Sequence, residues 1–156
     1  MKYVFLVFIF IATNVFAQDA NHWSVGIGSN HGGLGVKYSQ PITDHLDLYA
    51  NFGQSAGFAL LSYTNGITAS AGAEFSFTPN QRHTFNIGAA VLDAKDYHSE
   101  YFHETDKNRL KGYVVGYTYY FSGLHNSGQA IGVGTIHLTE ANEILNSLSI
   151  SWGYKF

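Results

Sequence analysis

The chain has 156 residues, eight Lys and Arg against eleven Asp and Glu, and a formal net charge of −3 at pH 7. That balance argues against a nucleic-acid partner, because binding a phosphate backbone needs clustered basic side chains. No Cys is present, so no disulfides staple the fold. Seventeen Gly, 11 Tyr and 12 Phe beside only 12% charged residues are unusual for a water-soluble domain.

Met1-Lys2-Tyr3 precede an apolar run from Val4 to Ala12, and small residues at Val15 and Ala17 precede Gln18. One positive charge, a short apolar segment and that small-residue spacing predict a secretory signal peptide, residues 1–17, cleaved before Gln18. The run is too short for the roughly 20 residues of a spanning helix. No Cys follows the cleavage point, so no lipid anchor is expected there. Removing 17 of the 156 residues leaves residues 18–156, 139 residues and one domain, with seven Lys and Arg against eleven Asp and Glu, a net charge of −4. No part of this domain carries a run of roughly 18 apolar residues, so its aromatic content serves strands rather than membrane helices.

Period-two alternation then recurs along the chain. Trp23, Val25 and Ile27 alternate with Ser24, Gly26 and Gly28, and Ser29 to Gly33 is a turn cluster. Leu34, Val36 and Tyr38 alternate with Gly35, Lys37 and Ser39 until Pro41 to Asp44 breaks the strand. Leu46, Leu48, Ala50 and Phe52 oppose Asp47, Tyr49, Asn51 and Gly53 in a third strand. Gln54 to Gly66 reads as a loop, with Phe58 to Leu61 apolar but not alternating and Asn65-Gly66 a hairpin turn. The fourth strand, Ile67 to Phe77, sets Ile67, Ala69, Ala71, Ala73, Phe75 and Phe77 against Thr68, Ser70, Gly72, Glu74 and Ser76. Phe85, Ile87, Ala89 and Val91 define the fifth, and the polar stretch Asp93 to Asn108 follows. In the sixth, Tyr113, Val115, Tyr117, Tyr119 and Phe121 share a face; in the seventh, Ile131, Val133, Thr135 and His137 do.

Thr139 to Leu145 connects to the last strand, Asn146 to Phe156. There Leu148, Ile150, Trp152, Tyr154 and Phe156 fall on one face, and Ser147, Ser149, Ser151, Gly153 and Lys155 on the other. An aromatic strand about as long as a tilted membrane strand, ending on Phe and its carboxylate, resembles the C-terminal signature of bacterial outer-membrane β-barrels. The resemblance implies an all-β fold, an eight-stranded antiparallel transmembrane barrel in the outer membrane, and a barrel-assembly partner that reads the strand ending at Phe156. Eight strands of about 9 to 11 residues fit the smallest closed barrels. Counting Phe58 to Thr64 would give nine, and pairing Asp96 to Glu104 as well would give ten. Ser39 to His45, Thr78 to His83 and Ser122 to Gly128 become periplasmic turns. The outer loops are Ser29 to Gly33, Gln54 to Gly66, Asp93 to Asn108 and Thr139 to Leu145. Lys37, Asp47, Glu74 and Lys111 are read as lumen charges that need partners. Eight strands leave an interior about wide enough for side chains alone.

Three features could carry chemistry. His137 is expected on the lipid-facing side near the strand's outer end, either as an interfacial aromatic or as an acid/base residue. The run Gly128 to Thr139 resembles the seventh strand of the outer-membrane lipid A deacylase family. Its members hydrolyse an acyl ester of lipopolysaccharide with a His, a Ser two residues later and an acid on the last strand. The resemblance implies catalytic positions at His137, Thr139 and Asn146, with Thr in place of Ser and Asn in place of the acid. Thr is the more hindered nucleophile, and Asn orients an imidazole without stabilising its cation. Glu140 replaces an Asn of the family, and Glu143 is an alternative acid.

In the long outer loop, Asp93, Asp96, His98, Glu100, His103, Glu104 and Asp106 could ligate a divalent cation or be a solvated loop, and their spacing matches no metal motif. Tyr97, Tyr101 and Phe102 could serve adhesion. No nucleotide-binding glycine motif occurs between a strand and a helix, and neither cofactor nor metal is expected. The reading is thus a non-catalytic outer-membrane barrel whose partners are membrane lipid and lipopolysaccharide, its outer loops serving envelope or adhesion contacts. A lipid A deacylase-like ester hydrolase is the alternative.

Overall fold

The structure, a computed structural model, describes residues 22–56, 65–96, 108–140 and 143–156. The expected signal peptide, 1–17, and most of the two longest outer loops lie outside the described residues. Eight strands follow in chain order: β1 (Trp23–Ile27), β2 (Leu34–Thr43), β3 (Leu46–Ala56), β4 (Asn65–Ser76), β5 (His83–Asp96), β6 (Asn108–Tyr120), β7 (Gly128–Glu140) and β8 (Glu143–Lys155), with a 3-10 turn, η1 (Ser29–His31), after β1. Each strand pairs antiparallel with the next, and β1 closes the barrel on β8.

Alternation puts the two residue classes on opposite faces, and closure decides which face is inside. Trp23, Val25, Phe52, Phe75, Phe85, Ile131, Ile150 and Trp152 are exposed, Ile150 to 71%. Ser24, Lys37, Asn51, Glu74, Thr84, Asn86, Thr118 and Lys155 are buried. This is the inverse of a water-soluble barrel, and so continuous an apolar exterior is a surface for lipid. At roughly 3.4 Å per residue and a tilt near 40°, the outward run from Tyr113 to Phe121 spans about 20 Å, comparable to the apolar band of a membrane barrel.

The interior is filled in layers. Toward the ends of β5, β6 and β7 nearest the loops, Ala90, Leu92, Leu110, Val114 and Leu138 form an apolar cluster. At the opposite end the β6–β7 turn inserts Leu124, which is fully buried against Tyr120 and Ala130. Between these layers Glu74 accepts from Lys37 Nζ at 2.5 Å, from Thr84 Oγ1 at 2.7 Å and from Tyr120 OH at 3.1 Å. Asp47 meets His125 Nε2 at 2.7 Å and Lys155 Nζ at 3.7 Å, and Lys155 Nζ also donates to the Leu124 carbonyl at 2.6 Å. Among the described residues both buried carboxylates, Asp47 and Glu74, therefore face a cation, as a low-dielectric interior requires.

Lys111 does not belong to this set. It shares its face with Tyr113 and is exposed, and Lys155 is the second lumen cation. The parity of β6 gives the reason, since two residues back from an outward Tyr113 is outward again.

The turn Ser29 to Gly33, expected as an outer loop, instead folds into the barrel. Ser29, Asn30 and His31 are all buried. Asn30 Nδ2 donates to Thr118 Oγ1 at 2.7 Å, Asn30 Oδ1 accepts from Asn86 Nδ2 at 3.4 Å, and the Ser29 amide donates to Ser149 Oγ at 3.0 Å. Lumen glycines make the space. A Cβ on Gly35 would lie 2.2 Å from the His31 carbonyl oxygen, and one on Gly153 would lie 2.5 Å from His31 Cε1. Gly28 and Gly32 bracket the turn at φ of 97° and 68°, angles that favour glycine.

Several boundaries move. Pro41 does not end β2, which continues to Thr43 through an irregularity between Pro41 and Thr43. Asn65 and Gly66 begin β4 rather than forming a hairpin turn. The connection read as Thr139 to Leu145 shrinks to residues 141–142, because β7 reaches Glu140 and β8 starts at Glu143. The strand count of eight stands; residues 57–64 and 97–107 are outside the described residues.

Candidate functional site on the outer face of β6, β7 and β8

Antiparallel pairing sets Tyr113, His137 and Asn146 side by side across three strands. These are the outward positions of β6, β7 and β8, so the three side chains share the lipid-facing surface near the loop end. His137 Nδ1 lies 2.5 Å from Asn146 Oδ1. A carboxamide oxygen only accepts, so Nδ1 donates in this bond. The Tyr113 ring stacks on the imidazole at 4.9 Å between centroids and 24° between planes. His137 is thereby fixed on two sides.

Thr139 lies two residues further along β7 on the same face, opposite Lys111. Its hydroxyl is 3.4 Å from the Lys111 carbonyl, and no hydrogen bond joins it to His137 among the described residues. The structure thus brings His137 and Asn146 together and leaves Thr139 adjacent but turned away. In chemical terms this is an imidazole with its orienting group and a nearby hydroxyl engaged with a backbone carbonyl. Glu140 and Glu143 pair through their backbones at the β7–β8 end, and their side chains lie outside the described part.

Tyr113 and Lys111 went unrecognised in the sequence as neighbours of His137. Both are available from counting: the β6–β7 pairing that aligns Tyr117 with Val133 also aligns Tyr113 with His137 and Lys111 with Thr139. Of the acidic loop cluster only Asp93 has a described side chain, while His98, Glu100, His103, Glu104 and Asp106, with Tyr97, Tyr101 and Phe102, lie outside the described residues. Among the described residues no group of three or more His, Cys, Asp or Glu could hold a metal ion.

No protein-family profile and no curated protein matches this chain. Among solved structures it is similar to the backbone structure of the Yersinia pestis outer membrane protein Ail in a phospholipid bilayer nanodisc. The two are 16% identical, with a TM-score of 0.48, over 87% of this chain and 99% of that one.

Proposed function

We propose that this chain is an outer-membrane barrel protein that conducts no solute and works through its outer surface, in contact with membrane lipid, lipopolysaccharide or an external partner. The observation that carries the reading is the combination of an apolar exterior with a lumen that the apolar cluster, η1, the ion network and Leu124 occupy in successive layers, leaving a small polar cavity between Asn30, His31, Lys37 and Ser151. An exterior of that kind needs a bilayer, and an interior closed by apolar layers toward both ends leaves no continuous pathway through it. Reconstituted into planar bilayers, the protein should give no stepwise conductance. Resolved channel openings that depend on the folded protein would overturn the proposal. Assembly through the strand ending at Phe156 belongs to the same reading. Deleting Phe156 should lower the amount reaching the membrane far more than it alters the stability of barrels already folded.

A second reading, a lipid A ester hydrolase, is favoured by one observation, the His137 to Asn146 bond on the lipid-facing surface. His137 would serve as general base and Thr139 as nucleophile, after rotation of the Thr139 hydroxyl from the Lys111 carbonyl. Mass spectrometry of lipid A from cells overexpressing the protein tests it. An unchanged acyl count sinks the hydrolase, whereas a deacylated species that vanishes with His137→Ala supports it.

A further inference from the structure

Most cations with described side chains are explained by their surroundings. Lys37 and Lys155 are buried beside Glu74 and Asp47, and Arg82 is exposed in the turn between β4 and β5, at the end of the barrel opposite the site. Arg109 and Lys111 differ. They occupy successive outward positions of β6, both exposed, directly beyond Tyr113 and the apolar positions Val115 and Tyr117. Among the described residues neither forms a salt bridge. Among the described side chains the carboxylate nearby is Asp93, paired across the strands with Arg109, so those three groups carry two positive charges and one negative.

The position decides what can satisfy them. A cation on the lipid side of a barrel, at the upper edge of the apolar band, reaches with its long stem for the headgroup layer. A guanidinium offers a planar fork suited to phosphate oxygens, and an ammonium beside it adds a mobile point charge. The Thr139 hydroxyl lies across from Lys111, and the Tyr113 and His137 stack lies one step lower, where the first carbons of an acyl chain would rest.

We propose that Arg109 and Lys111 form a binding site for the phosphate group of an anionic membrane lipid whose acyl chain lies along the outward face of β6. The site rests on the membrane reading of the barrel, and it serves either functional outcome. In a non-catalytic barrel it tethers a lipid at the loop end. In a hydrolase it holds a phosphorylated, acylated substrate beside His137.

The test uses the full chain folded in detergent, with bound lipid measured by native mass spectrometry against lipid A and, separately, phosphatidylglycerol. The wild type should retain one or both, the tighter of the two identifying the source of the phosphate. The double variant R109Q/K111Q should bind about 20-fold more weakly, as expected for removing two cations from an anionic headgroup layer. Heat-modifiable gel mobility reports whether that variant is folded, and K111Q alone, with roughly a fivefold loss, serves if it is not. Equal binding by the folded variant would overturn the site, and an equal loss in Arg82→Gln would show bulk charge in its place. Displacement of the lipid by inorganic phosphate at the same concentration would reassign the site to a free anion. A wild type that never inserts into bilayers would instead remove the membrane reading, and this site with it.

Discussion

Glu74 is the residue on which the interior turns, because it is fully buried and its two oxygens are shared among Lys37, Thr84 and Tyr120. Substituting Glu74→Gln should leave the Lys37 ammonium buried without its counter-charge, at a cost of about 3–5 kcal/mol in the unfolding free energy measured by urea titration in vesicles. The double variant Lys37→Met, Glu74→Leu should recover most of that loss, since a well-packed apolar pair often replaces a buried ion pair at little cost. Failure of the double variant to recover would mean that the pair is needed to place Tyr120. At the outer site, Asn146→Ala removes the partner of His137 Nδ1. In a hydrolase it should lower turnover through loss of orientation while leaving lipid binding in place. A parallel loss of binding would point to disruption of the surface instead.

At the scale of elements, η1 is what makes this interior specific. Replacing Asn30 by Ala removes its bonds to Thr118 Oγ1 and Asn86 Nδ2, which keep only their own 3.4 Å contact, and should cost about 1 kcal/mol. Gly35→Ala should cost more, because the new Cβ would meet two backbone oxygens, that of His31 at 2.2 Å and that of Phe52 at 2.4 Å, which cannot give way as a side chain can. Unfolding free energies for the two variants, measured under one set of conditions, check the order. A Gly35→Ala protein as stable as the wild type would show that η1 need not be seated.

Much of this was legible beforehand, and what was not has identifiable physical causes. Alternation alone sorts outward from inward side chains in all eight strands, because a barrel with one face in lipid and one in a filled lumen keeps strict period two. The same alternation placed His137 and Asn146 on one face, and pairing did the rest. An inward Lys111 would break that parity, and the strand keeps it outward. The burial of Ser29 to His31 was hidden because a polar, glycine-bounded turn reads as solvent-exposed whether it points out of a barrel or into one. The glycines of the inward faces were the available signal. Gly26, Gly35, Gly53 and Gly153 all approach His31, and each marks space kept for it. β5 to β8 run to 13 or 14 residues, longer than the 9 to 11 expected, since turn residues such as Asn65-Gly66 in β4 can be carried inside a ladder, whereas β1 has only five.

The barrel reverses the usual partition of residues, with most described aromatic side chains outside and hydroxyls, amides and ion pairs, capped by apolar layers, within. Everything proposed for the outer face of β6, β7 and β8 depends on that surface lying in a bilayer. The most direct measurement is the electrophoretic mobility of the protein, recovered from the outer-membrane fraction, with and without heating. A closed barrel of this kind should run as a compact band unheated and shift to its full 17.2 kDa position, less any signal peptide, after boiling. Recovery as a soluble periplasmic protein whose mobility does not change on heating would contradict the account.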